Sequence, residues 1–118
     1  MYGVPVDLDL THFHAASCIQ VAIGEHQIQF HFHPSASVSV EGRWELRDGD
    51  GQVIDQSMEH IERPTYQIHR IVSQAVVDTF VKAPTSFGLV FNNNLTLEVF
   101  DDSTQYESCT ISPTGVII

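Results

Sequence analysis

The stretch His26–Gln27–Ile28–Gln29–Phe30–His31–Phe32 alternates polar and apolar residues with a period of two. Successive side chains of a β-strand point to opposite faces, so Ile28, Phe30 and Phe32 share one side and Gln27, Gln29 and His31 the other. This is a half-buried strand with one wet face. The same period recurs along the chain. Cys18–Ile23 places Ile19, Val21 and Ile23 together, Ser37–Glu41 alternates again, and Arg43–Arg47 turns Trp44 and Leu46 inward. Turn-forming residues separate these runs: Gly24–Glu25, Pro34–Ser35 and Asp48–Gly49–Asp50–Gly51. Four strands in series predict an antiparallel meander.

A second set follows a polar, charged stretch from Asp55 to Pro64. Ala75–Val81, Ser86–Phe91, Leu95–Phe100 and Gln105–Ile111 read as four further strands, parted at Ala83–Thr85, Asn92–Asn94 and Asp101–Ser103. Each set is preceded by a segment that can form a short helix. These are Asp9–Ala16, with Leu10 and Phe13 inward, and Tyr66–Val72, capped by Thr65. Ser17 lines up with Ser73, Phe30–Phe32 with Leu89–Phe91, Trp44–Glu45 with Tyr106–Glu107, and Gly51–Ile54 with Gly115–Ile118. The expectation is an α+β, mainly antiparallel β domain over residues 1–118. It would be a tandem duplication of a short helix plus a four-stranded meander. The repeat units span about 8–55 and 64–118, packed face to face because neither closes a core alone.

Composition limits what such a domain does. Five Lys+Arg against fifteen Asp+Glu give a formal net charge of −10. Phosphate backbones and acidic membranes repel that surface, which argues against nucleic-acid and membrane partners. A basic protein would be attracted and steered, although acidity also simply keeps a protein soluble. No apolar run approaches the ~20 residues of a membrane span. The first residues carry neither a basic region nor an apolar core of signal-peptide length, so a cytoplasmic protein is expected. Cys18 and Cys109 lack metal-ligand spacing and read as reduced core thiols.

Seven histidines invite a metal hypothesis. His31 and His33 are two apart on a strand and share a face, where His26 or Glu41 could complete a ligand set. The plainer account puts them with Gln27 and Gln29 on a solvated face. A cupin-type His-x-His pair would be followed closely by a glutamate; Glu41 comes too late, and a second histidine motif is absent. Asp101–Asp102 is an adjacent acid pair at a turn, a spacing unsuited to acid/base work. Asp48–Gly51 lacks the later ligands of a calcium loop. No Gly-x-Ser-x-Gly, phosphate loop or dinucleotide fingerprint occurs, so neither a catalytic residue nor a cofactor is assigned. Glu45 and Glu107, each following an aromatic residue, either face water beside a core aromatic or form an acidic contact surface with Asp101 and Asp102.

Three stretches, Met1–Pro5, Ile23–Phe32 and Asp101–Ile111, resemble small acidic bacterial proteins known only as a domain of unknown function. The resemblance runs over nearly the whole chain through turn and strand residues. It implies a shared fold and carries over no catalytic residue. Proteins of this size and acidity are compared with immunity proteins, which neutralise toxins. The functional expectation is therefore a non-enzymatic interaction module, in its most concrete form an immunity-type inhibitor of a basic partner. The alternatives are a metal- or small-ligand-binding domain at His31/His33, and a homo-oligomer such as a homodimer built on strand edges, with Val116–Ile118 covering one of them.

Overall fold

In the computed structural model the described residues are 3–57, 65–101, 109–113 and 115–117. Ten strands follow in chain order: β1 (Ser17–Ile23), β2 (Ile28–His33), β3 (Ala36–Val40), β4 (Trp44–Arg47), β5 (Val53–Gln56), β6 (Val76–Lys82), β7 (Ser86–Phe91), β8 (Thr96–Phe100), β9 (Cys109–Ser112) and β10 (Val116–Ile117). They form two antiparallel five-stranded sheets, in the orders β1-β2-β3-β9-β10 and β5-β4-β8-β7-β6. No helix among the described residues is long and apolar enough to cross a membrane.

The alternation read from the sequence decides the layering. Ile28, Phe30 and Phe32 of β2 and Val38 and Val40 of β3 are buried. They meet Phe87, Leu89 and Phe91 of β7 and Leu97 and Val99 of β8 in one apolar cluster. Rings join the layers: Phe32 stacks on Phe91 at 6.3 Å, and Phe30 meets Trp44 edge-on at the same separation. Such aromatic pairs add roughly 1 kcal/mol each beyond the area they bury.

Two expectations are corrected here. The fold is nearly all β rather than α+β, for the segments expected as helices contain only 3₁₀ turns, Thr11–Phe13 and Ile68–Ile71. The cost of nucleating a helix is not recovered over so few residues. Thr65 does not cap the second turn. The buried Asp55 does so from β5, its Oδ2 accepting the backbone N–H groups of Gln67 and Ile68 at 2.8 Å each.

The second correction concerns the tandem duplication, which the structure does not show. The units as drawn are not separate bodies, because the fourth strand of each set leaves its own meander. β4 pairs with β8, with Glu45 opposite Glu98, and β9 pairs with β3, with Cys109 opposite Val40. The three residues between β3 and β4 do not fold the strand back; they carry the chain across to the other layer.

The sheets also meet along one backbone seam. Ser17 bridges Ala75. Cys18 donates to the Gln74 carbonyl at 3.0 Å and Val76 to that of Ala16 at 2.8 Å. Ala15 (φ 63°) and Ser73 (φ 72°) both turn through the left-handed region just before this seam. The chain end covers an edge within its own molecule, as β10 lies against β9.

Candidate functional site

Strand alternation turns Glu45 and Arg47 of β4, Glu98 of β8 and Ser86 of β7 toward the outer face of the second sheet. There Glu45 and Glu98 are directly opposed across β4 and β8, yet they are only 6% and 3% exposed. Like charges placed so repel, and burial removes the water that would screen them. Arg47 resolves the conflict by donating to both carboxylates, to Glu45 through Nη2 and to Glu98 through Nη1. Arg43 donates to Glu45 Oε2 at 2.8 Å while its guanidinium lies 4.0 Å above the Phe100 ring. Ser86 Oγ donates to Glu98 Oε2 at 2.5 Å, and Lys82 Nζ stands 3.9 Å from the same oxygen. The cluster ties four adjacent strands together through their side chains.

A cavity of about 600 Å³ adjoins this cluster. Arg47 and Glu98 line it together with Phe80, Lys82, Asn94 and residues of the β4–β5 turn. The turn is held by Asp48, whose Oδ1 accepts from the backbone N–H of Asp50 at 2.9 Å and of Gln52 at 3.0 Å. Asp48 thus serves its own backbone, as a turn residue does.

The other sequence candidates fall in different places. His31 is half-buried on the outer face of the first sheet, with Nε2 3.2 Å from Gln29 Oε1, and His33 is exposed. His26 sits beside Glu25 at 3.5 Å, both exposed. Among the described residues, no group of three or more His, Cys, Asp or Glu is arranged to hold a metal. Both cysteines are free thiols in the core. Burial pushes Cys18 up to about 11, against a backbone hydrogen bond with Gln20. Burial pushes Cys109 up to about 12, with the Asp101 charge adding to it. Neither is a thiolate at neutral pH, so neither is poised as a nucleophile.

Glu45 is occupied by two guanidinium groups and does not present its carboxylate to solvent. Asp101 is half-buried where β8 ends, its N–H donating to Thr85 at 2.8 Å. Asp102 and Glu107 lie outside the described residues. The register brings other acids to the same end as Asp101. Ile28 pairs with both Ile23 and Val40, so the β1–β2 turn with Glu25 neighbours Glu41. Two residues after Glu41, the Arg43 carbonyl accepts from Phe100 at 3.0 Å. Glu25, Glu41 and Asp101 therefore sit at one end of the two-layer body.

Sequence reading missed Glu98, Ser86 and the three cations around them. One signal was available: Glu98 is the sole charged residue within the run Leu95–Phe100, whose other members apart from Thr96 are apolar. A lone acid inside a strand that also carries core residues needs a partner. The chain matches no protein-family model, no curated protein and no solved structure.

Proposed function

We propose that this protein is a non-enzymatic interaction domain that binds a basic protein partner, in the manner of an immunity-type inhibitor. The observation that carries the reading is the distribution of its few cations. Arg43, Arg47 and Lys82, three of the five Lys+Arg, gather at Glu45 and Glu98 on one sheet face. The other two cations of the sequence are Arg63 and Arg70. Outside this cluster the sequence holds thirteen acids against two cations, a formal charge of −11, and Glu25, Glu41 and Asp101 sit at one end. A field of one sign speeds the approach of an oppositely charged partner and repels phosphate-rich ones. A cytoplasmic setting goes with this reading, since Cys18 and Cys109 are both free thiols.

The test is capture of the partner from host lysate at low and high salt, with wild type and with Glu25→Lys/Glu41→Lys. One basic protein, retained by wild type at low salt and lost both at high salt and on charge reversal, is the expected result. A partner retained unchanged under both perturbations would remove the electrostatic reading.

A further inference from the structure

We infer that the cleft beside Arg47 and Glu98 is a binding site for a small organic monoanion, a carboxylate carried on an apolar body. Side-chain size makes the cleft. On the outer face of the second sheet, the register sets Arg47 of β4 beside Thr96 of β8, and Thr96 beside Val90 of β7. The next strand, β6, contributes Lys82 and Phe80, whose ring lies over Gly88. The short Thr96 and Val90 thus lie between longer side chains on either flank, and a space of about 600 Å³ remains. Small-molecule sites have this size.

Charge selects the ligand. Glu45 and Glu98 carry two negative charges, and Arg43, Arg47 and Lys82 carry three positive ones, so the cluster holds one cation in excess. Lys82 is that cation. Both oxygens of Glu98 already accept, Oε1 from Arg47 and Oε2 from Ser86. Lys82 Nζ stands 3.9 Å from Oε2, beyond hydrogen-bond reach, and its side chain is 66% exposed. Its ammonium also lies 5.0 Å from the Phe80 ring centre, and it donates no hydrogen bond to the described residues. Arg47 uses one N–H for each glutamate, which leaves three guanidinium N–H groups without an acceptor among the described residues. The two cations address the two oxygens of one carboxylate, so a single ligand group can reach both. Asp48, the remaining ionisable group of the lining, has Oδ1 committed to two N–H groups of its own turn. One ligand carboxylate therefore satisfies the free donors through charge-assisted hydrogen bonds. A dianion exceeds the single surplus charge, and a cation is repelled by Lys82 and Arg47. Val90 and Phe80 line the same space and favour an apolar body over a bare inorganic ion. The acids elsewhere on the molecule act weakly here, because salt screens charges beyond ~8 Å.

Titration of the full chain with phenylacetate and with hexanoate tests this, followed by calorimetry and by amide NMR shifts. Phenylacetamide, phenethylamine and inorganic phosphate probe the charge and the apolar body separately. The expected result is saturable binding of the two acids, with shifts at Lys82, Val90 and Thr96. The amide and phosphate bind about tenfold more weakly or worse, and the amine does not bind, since each loses a charge-assisted hydrogen bond or the apolar contact. Lys82→Met weakens binding of the acids about tenfold or more, and Lys82→Arg retains it. Lys82 is exposed, so Lys82→Met keeps the wild-type urea midpoint and reports on binding alone. Glu25→Lys/Glu41→Lys, the charge reversal that probes a basic partner, leaves binding of the acids unchanged, so the two readings fail separately. An absence of saturable binding by either acid overturns the inference. So does equal binding of phenylacetate and phenylacetamide, or an affinity indifferent to Lys82→Met.

Discussion

Gly88 is the residue whose side chain the fold most clearly forbids. A Cβ built there would lie 2.1 Å from Cζ of Phe80, because the Phe80 ring lies across the strand over the glycine. The two are register partners on β7 and β6, so the ring fills the space the glycine leaves on the outer face. Gly88→Ala forces the ring off its rotamer and is expected to destabilise the protein by about 1–3 kcal/mol, read as a lower urea midpoint. In a Phe80→Ala background the same change should cost much less, and a double-mutant cycle measures the difference. The thiols give a second prediction at this scale. Burial raises the Cys18 and Cys109 thiols from the ordinary value of 9.0 to about 11 and about 12. Above pH ~9 the unfolded chain loses these protons while the folded one keeps them, so stability falls as pH rises from ~9 toward 11. Denaturant midpoints across that range should fall less steeply in Cys18→Ala/Cys109→Ala than in wild type, whatever the offset at neutral pH. Parallel slopes would mean that the thiols are not the linked groups.

The β4–β8 pair depends on its outer-face charges as well as its backbone ladder. Arg47→Met leaves Glu45 and Glu98 opposed across the strands without the guanidinium that reaches both. Breaking such a cluster from one side is expected to cost about 3 kcal/mol at neutral pH. Urea titration of the variant against wild type at pH 7 checks the size. How far the sequence announced this cluster follows from the physics of a strand. Alternation showed that Trp44 and Leu46 face in and that Glu45 faces out. It did not show that outward is still buried, because the cover comes from Arg47 and Arg43 closing over a neighbour brought in from the other set of strands. Pairing partners leave no mark in a period-two pattern, and so the crossing of β4 and β9 between layers was not legible. The helical readings failed for a local reason. Asp9–Ala16 and Tyr66–Val72 have apolar residues at helical spacing, but each is short and ends in a left-handed residue or close to one, Ala15 or Ser73.

For the molecule as a whole, the exchange of strands has a consequence for how it holds together. Residues 1–57 supply β4 and β5 to a sheet whose other three strands come from beyond residue 64, and β9 and β10 complete the sheet begun by β1–β3. Neither part contains a complete layer, and the apolar cluster draws its residues from both parts. Short meanders without a second layer are marginal in water, so the isolated pieces 1–57 and 58–118 are each expected to lack a cooperative transition. Mixed, they should reassemble, regaining the β spectrum and the near-ultraviolet signal of Trp44, which packs against Phe30 in the assembled core. Both pieces are acidic, so reassembly should speed up as salt rises. Apolar burial drives it and like charge opposes it. Circular dichroism of each piece and of the mixture decides the matter. If residues 1–57 alone unfold cooperatively with the intact Trp44 signal, the exchanged strands are dispensable and the meander of each set is self-sufficient. If only the mixture does so, cohesion resides in the crossing strands, and substitutions at Leu46, Leu97, Val38 or Ile111, where the exchanged strands pair, should weaken the complex of fragments as strongly as they weaken the intact chain.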